Sequence, residues 1–417
     1  MLNRKLIAWI NKQKINNKLK IKKIYKNNLK QWKVNDNIIY HKHKSFFSIK
    51  PYVFKQYKKK WFQPLIIQKE EGILGIIKKR ISNKDYYLLQ AKAEPGNINS
   101  IQISPTVQAT KSNYLRKHGG KKTFYLDYFL KKINKTIILS SLKLSEQGTR
   151  FLNKKNKNIL LEIKNLKLPK KSNFIWLDKK NIKYLIKQNN VLNMDTISIF
   201  SSAIKKNKLE NPINSFSDLL NILKKCKKFL YIKKKQIKFS NLIGWKIDKN
   251  VFFDFNKNFF SIFFIEVNAN MREVKKWDQP IISDHYSSIN GFIIYKYNKI
   301  THYLLKAVQE PGSSDPKFTS TISEKNLLIK DLKKLDYSNF FKKKNHLFNV
   351  INSDEGGRFF KNQSRNIVCE TNNHNKIKLK KNFIWASHNQ LIELINKNLL
   401  TIEARNLFAS FNIEKIK

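Results

Sequence analysis

Between Gln90 and Gly120 the chain reads QAKAEPGNINSIQISPTVQATKSNYLRKHGG, a run of unusual polar variety in a sequence built mostly of Lys, Asn and Ile. Glu94 and His118 can take up or give a proton, and so can Glu146 in the segment SEQGTRF that follows. Lys92 and Tyr114 add proton donors. Arg116, Lys121, Lys122 and Arg150 can neutralise an anion, the arginines through a planar fork that fits two oxygens at once. Gln90, Asn97, Gln102, Thr106, Gln108, Ser112 and Asn113 are neutral groups that donate and accept hydrogen bonds. An apolar core needs none of these, and a solvated surface is served by Lys and Asn alone. The candidate catalytic set is therefore Glu94, His118, Tyr114, Glu146 and Lys92. The candidate ligand-binding set is Gln90, Asn97, Gln102, Thr106, Gln108, Ser112, Asn113, Arg116, Lys121 and Arg150. Plainer readings stand beside these. Glu94-Pro95-Gly96 also reads as a turn after a strand, Gln102 and Gln108 as the wet face of an alternating strand, and Arg150 and Arg358 as halves of fold-holding ion pairs.

These groups must be positioned by something, and the chain positions them twice. WFQPLI at Trp61 recurs as WDQPII at Trp277, an offset of 277 − 61 = 216. The same offset carries Glu94-Pro95-Gly96 onto Glu310-Pro311-Gly312. RFLNKKNKNILLE from Arg150 matches RFFKNQSRNIVCE from Arg358 at an offset of 358 − 150 = 208, and NFIW at Asn173 returns at Asn382. Rare Trp, Pro and Gly at matched places mark a tandem duplication. We expect an N-terminal helix over 1–21, a first module over 22–205, a connector with a helix over 206–229, and a second module over 230–417. GILGIIKKRI and YYLLQAKA flank the turn cluster Ser82 to Asp85 and predict a hairpin. IQISPTVQAT alternates and predicts a strand, with Pro105 marking an edge or bulge. Asp178 after the first NFIW predicts a helix N-cap. Each module is thus predicted to be α+β, with mostly antiparallel strands. The second module has SDPKFTSTISEKNLLIKDLKKLD where the first has its Gln/Thr/Tyr/His set. That asymmetry points to a working site in the first module and a vestigial or scaffolding second module.

The formal charge of +55, from 84 Lys and Arg against 29 Asp and Glu, does not by itself indicate nucleic acid. The basic residues are mainly Lys, spread along the whole chain, and the abundant types all have codons rich in A and T. A selected phosphate surface draws on Arg, which is scarce here. No specific nucleic acid is expected as partner. No run of 18 apolar residues occurs, so no membrane-spanning helix is expected. The two cysteines, Cys226 and Cys369, give neither a disulfide framework nor metal-ligand spacing, and point to a reducing cytoplasm.

The long run QAKAEPGNINSIQISPTVQATKSNY, followed by HGGK, SEQGTRF and NMDT, resembles the NDP-hexose 2,3-dehydratase family of deoxysugar biosynthesis, over the chain from about Trp32 to Ala409. The resemblance implies two tandem Nudix-like modules, a homodimer, no cofactor and no metal. It implies a substrate such as dTDP-4-keto-6-deoxyglucose, with a separate ketoreductase taking the product. The implied reaction abstracts the C3 hydrogen beside the C4 ketone and expels the C2 hydroxyl as water. The resulting enol becomes a 3,4-diketo-2,6-dideoxy sugar. In that chemistry the acids and bases above share the proton transfers, the arginines and Lys121 face the diphosphate, and the neutral groups face sugar hydroxyls and a pyrimidine edge. The competing classes are a Nudix-type nucleotide-sugar hydrolase and a basic protein binding nucleic acid or an anionic surface. The carboxylate-rich helix of the first is absent from the sequence.

Overall fold

The computed structural model describes residues 2–115, 119, 121–130, 132–133, 136–164, 166–325, 327, 333–342, 346–374 and 377–417. Its two halves repeat one order of elements. In the first, helix Leu2–Asn16 and strand Leu19–Ile24 precede four strands of a smaller sheet, Trp32–Asn35, Ile38–His41, Ser48–Gln56 and Lys59–Ile67. A larger sheet follows, built around the hairpin Gly72–Ile81 and Lys84–Ala93, and helices Lys179–Ile186 and Met194–Ser201 close the half. In the second, helix Phe216–Leu230 and strand Lys233–Gln236 open the series, the hairpin is Ser288–Tyr297 with Ile300–Val308, and helices His388–Asn396 and Ile402–Phe411 end it. The helix expected as a connector thus takes the place in the second half that Leu2–Asn16 takes in the first.

Local chemistry accounts for these elements. Ser82 and Asn83 both have positive φ, 45° and 60°, and so do Asn298 and Lys299, 47° and 63°. Two such residues make the tight turn whose twist matches an antiparallel hairpin. Asp178 accepts from the backbone N–H of Asn181 and caps the helix that follows, as expected. Pro105, lacking an N–H, separates Ile101–Ser104 from Val107–Ala109. The two pieces then pair with different strands, the first with Lys84–Ala93 and the second with Gly72–Ile81. Most pairings are antiparallel. Each larger sheet has one parallel pair, Gly72–Ile81 with Lys155–Ile163 and Ser288–Tyr297 with Gln363–Thr371.

The halves are interlocked rather than strung together. Strand Leu19–Ile24 leaves its own half and pairs with Phe260–Ala269 of the other. Lys233–Gln236 does the reverse, pairing with Ser48–Gln56. Glu-Pro-Gly docks crosswise in the same way. Gly96 N–H donates to Gly356 O at 2.7 Å, and Gly312 N–H donates to Gly148 O at 2.7 Å. A Cβ on Gly96 would sit 1.6 Å from Phe359 O, and one on Gly312 would sit 1.8 Å from Phe151 O, so only glycine permits either approach. The W-x-Q-P motif braces the same contact. Trp61 holds Gln63, whose amide donates to Thr149 O, and Trp277 holds Gln279, whose amide donates to Gly357 O. One apolar cluster spans the junction, with Phe151 and Phe359 meeting edge to face at 5.9 Å. Burial of this kind is what makes the two halves one folding unit.

Candidate active site

A cavity of about 340 Å³ lies on this junction. The first half supplies Lys92 and Glu94 from the end of strand Lys84–Ala93, Gln108 and Thr110 from the segment after Pro105, Glu146 and Lys154 from the loop before Lys155–Ile163, and Asp195 from the first turn of helix Met194–Ser201. The second half supplies Glu355 and Arg358 from its docked turn, Trp277 and Gln279 from W-x-Q-P, and Arg272 from a hairpin loop. The cavity is therefore not confined to the first half, as the loss of the polar set from the second had suggested. Crosswise docking places the turn Glu355–Phe359 opposite Glu94 rather than opposite its own Glu310.

A chain of side-chain contacts crosses the cavity floor. Lys92 Nζ lies 2.8 Å from Glu94 Oε1 and donates to Gln108 Oε1 at 2.6 Å. Gln108 Nε2 in turn donates to Asp195 Oδ2 at 2.7 Å. The two carboxyl groups at the ends of this chain are driven in opposite directions. Burial works to raise the pKa of Glu94, but the charges of Lys92, Arg272 and Arg358 outweigh it and hold the group below the usual carboxylate range. Asp195 is pushed well above that range, first by burial and then by repulsion from Glu146, Glu355 and Glu94. The surroundings thus favour the ionised form of Glu94 and the neutral form of Asp195. Glu94 Oε2 is buried and has no hydrogen-bond partner among the described residues.

Three further groups tune the field. Glu355 is raised by burial and by Glu94, although it accepts from Arg358 Nη1 at 3.1 Å and from Gly357 N–H at 2.9 Å. Lys154 is lowered to about 8 by burial and by Arg358, and donates to the backbone oxygen of Glu70. His41 is lowered to about 4 by burial and by His43, and packs edge-on against Trp32 at the cavity wall.

Of the residues singled out in the sequence, Lys92, Glu94, Gln108, Asn113 and Glu146 line the cavity. Others belong to its frame. Thr106 bridges Ile77 N–H and Leu88 O, and Thr321 does the same for Ile293 and Leu304 in the second half. The threonine is thus duplicated rather than lost, and its role is to hold the sheet. Gln102 is buried against Ser353, Asn190 and Asn193. Asn97 ties the turn after Glu94 to Lys92 O. Ser112 is held by Glu70. Gln90 lies one pleat before Lys92, half-buried and outside the cavity wall. Tyr114 packs with the apolar cluster on the outer face of the first large sheet. Lys121 meets the second half through its backbone N–H, which donates to Glu273 O at 3.2 Å. Lys122 pairs with Asp127. Arg116 and His118 lie outside the described residues.

Arg150 requires correction. It does not line the cavity but pairs with Asp284 at 2.7 Å, with both side chains 4% exposed, and its guanidinium lies over the Phe260 ring. Its twin Arg358 has Gln68 where Arg150 has Asp284, and it is Arg358 that faces the cavity. Sequence reasoning also missed Asp195, Glu355, Arg272 and Lys154. The signal for Asp195 was in hand, inside NMDT, but an Asp in the first turn of a helix also reads as an ordinary helix-start residue.

A model of the NDP-hexose 2,3-dehydratase family matches residues 3–203 and again residues 216–411. The chain is 30% identical over 365 residues to the dTDP-4-dehydro-6-deoxy-alpha-D-glucopyranose 2,3-dehydratase of Streptomyces violaceoruber, covering 84% of this chain and 82% of that one. The proteins of the same name from Saccharopolyspora spinosa and Amycolatopsis orientalis are 29% and 28% identical, covering 84% and 97% of this chain and 78% and 89% of theirs. The chain belongs to the NDP-hexose 2,3-dehydratase family and is an enzyme of that dehydratase class.

Proposed function

We propose that this enzyme removes the C2 hydroxyl of dTDP-4-keto-6-deoxyglucose, and that Glu94 and Asp195 divide the proton transfers. The observation that carries this reading is two buried carboxyl groups, linked through Lys92 and Gln108 in a single cavity, whose surroundings shift them in opposite directions. Carboxyl groups whose surroundings drive their pKa values apart make a base and an acid. Glu94 Oε2, lacking a partner, takes the C3 proton that the C4 ketone acidifies. The electrons pass to the ketone oxygen as an enolate, which the Lys92 ammonium is placed to stabilise. Collapse of the enolate forms the C2–C3 double bond and breaks the C2–O bond, and Asp195 gives its proton to the departing hydroxyl, which leaves as water. The remaining 3-hydroxy enone takes a proton at C2 to become the 3,4-diketo-2,6-dideoxy sugar.

The named relatives and the family match support the substrate. The resemblance noted in the sequence supports a Nudix-like kinship of each half, a homodimer, a cytoplasmic setting and a ketoreductase that consumes the dicarbonyl product. The test is incubation with dTDP-4-keto-6-deoxyglucose in D2O, with a ketoreductase and NADPH present to trap the product. A trapped 2-deoxy sugar nucleotide carrying deuterium at C2 is expected. Unchanged substrate, or release of a nucleotide by hydrolysis, overturns the reading.

A further inference from the structure

The two halves differ in one loop that reaches the cavity. Between the long strands of the smaller sheet, the first half turns in two residues, Tyr57 and Lys58, and the second takes the longer path Asn270–Lys275. The short turn stays in solvent, with Tyr57 88% exposed. The long one folds inward and is fastened from two sides. Asn270 donates to Asn16 O and accepts from Lys18 N–H, at the root of the strand that crosses over from the first half. Glu273 O accepts from Lys121 N–H of the first half.

This loop carries Arg272 into the cavity wall. Its Nη1 donates to Ala93 O at 3.1 Å and stands 3.7 Å from Glu94 Oε1, an ion-pair distance but not a hydrogen bond. Its Nε is 3.6 Å from Glu273 Oε2. Among the described residues the guanidinium spends one hydrogen bond on a backbone carbonyl and makes no bidentate pair with a carboxylate, and its side chain is 22% exposed. Of the other cations lining the wall, Lys42 is exposed and the remaining three are more committed. Lys92 is held by Glu94 and Gln108, Arg358 by Glu355 and Gln68, and Lys154 by Glu70 O.

We propose that Arg272, on a loop lengthened in the second half alone, is the residue that grips the substrate's diphosphate. The inference rests on the nucleotide-sugar reading above. A diphosphate on the floor would face the Glu94 carboxylate, and like charges at short range in a buried site repel strongly. The neutral sugar ring belongs there, and the anion belongs toward solvent, where the wall offers the Arg272 guanidinium and the exposed Lys42 ammonium. A guanidinium with donors to spare fits two phosphate oxygens at once.

The test compares Arg272→Gln and Arg272→Lys with the wild-type protein, using calorimetric titration of dTDP, steady-state kinetics with the trapping ketoreductase, and thermal melts. Arg272→Gln is expected to weaken dTDP binding about 10- to 100-fold, with the loss falling on KM more than on kcat. Arg272→Lys, which keeps the charge and loses the fork, should recover part of the affinity. Where Arg272→Gln fails to fold, the Lys variant carries the comparison by itself. Unchanged dTDP affinity in a folded variant overturns the assignment and leaves the dehydratase reading intact. So does a fall in kcat at unchanged KM, which would make Arg272 a partner of Glu94 alone. A wild-type protein that binds neither dTDP nor the sugar nucleotide overturns both together.

Discussion

Glu94 and Glu310 occupy the same place in the two halves, at the end of the same strand and before the same Pro-Gly turn, and they titrate in opposite directions. Glu94 is held low by Lys92, Arg272 and Arg358 against the effect of burial. Glu310 is raised to about 8 by burial and by Glu403, with Lys317 and Lys325 opposing. The positions around them explain the difference. Lys92 is replaced by Val308, and Thr110, which lines the cavity, is replaced by Lys325. The Lys325 ammonium stands 3.4 Å from Glu403 and 3.6 Å from Asp354, the twins of Asp195 and Glu146. The second half has thus put its own cation where the first keeps an open cavity. A duplicated frame can keep its geometry while a few side chains decide which copy does chemistry.

The sharpest way to break this comparison is at the proton donor. Asp195→Asn keeps the shape and the bond from Gln108 in reach but removes the acidic proton, and kcat should fall by about 10²- to 10⁴-fold. Glu403→Gln, at the twin position, should leave kcat near the wild-type value and register in thermal melts. Comparable losses in kcat from the two would abolish the distinction between the halves. Glu94→Gln should also cost about 10²- to 10⁴-fold in kcat, and Glu310→Gln should cost little.

A second experiment moves the plug. Thr110→Lys installs in the working cavity the side chain that fills its twin. Overpacking costs about 1–3 kcal/mol, so dTDP affinity should drop roughly 10- to 100-fold while the protein stays folded. Calorimetry that finds affinity unchanged would mean that the cavity is not where the nucleotide sugar binds.

Much of this was legible in the sequence, and what was not has a common cause. The duplication, the hairpins around Ser82 and Asn298, the Asp178 cap and the structural part of Glu-Pro-Gly could be read because each rests on neighbours in the chain. Lys92, Glu94, Gln108, Asn113 and Glu146 were found because polar groups cluster there out of proportion to the rest. Arg150 was misplaced because its partner Asp284 comes from the other half, and nothing along the chain says that the turn at 146–151 faces Glu310 rather than Glu94. Glu355, Arg358 and Arg272 went unassigned for the same reason. The offset that reveals a repeat is silent on whether the copies close on themselves or on each other.

Arg150→Lys sharpens that point. With Nη2 bound to Asp284 and Nη1 to Thr149 O in a buried site, the substitution should cost about 1–3 kcal/mol of stability, or about 2–4 °C in melting temperature per kcal/mol for a domain of ordinary size. dTDP affinity should be unchanged. A folded Arg150→Lys protein with weakened dTDP binding would return this residue to the site.

The pH dependence of stability separates the two glutamates most directly. A carboxyl group raised in the folded state binds its proton more tightly there than in the unfolded chain. Between the unfolded value of roughly 4.3 and the folded value of about 8 at Glu310, the native state holds a proton that the unfolded state has lost. Stability from this group is therefore fully present below the lower value, declines as pH rises across the window, and levels off above about 8. Glu310→Gln, which resembles the protonated acid at every pH, should remove that part of the decline, so the variant gains on the wild type as pH goes from 5 to 8. Glu94 has the opposite sign. Its pKa is depressed, so its contribution is present above the unfolded value and is lost as pH falls through the folded one, and Glu94→Gln should lose ground to the wild type at neutral pH. Between pH 5 and 8 the Glu310→Gln curve should therefore diverge from the wild type, whereas the Glu94→Gln curve should run parallel to it and close on it only as pH falls below about 4. A Glu310→Gln curve that also runs parallel to the wild type would mean that Val308 and Lys325 have not made the second glutamate's surroundings different from the first.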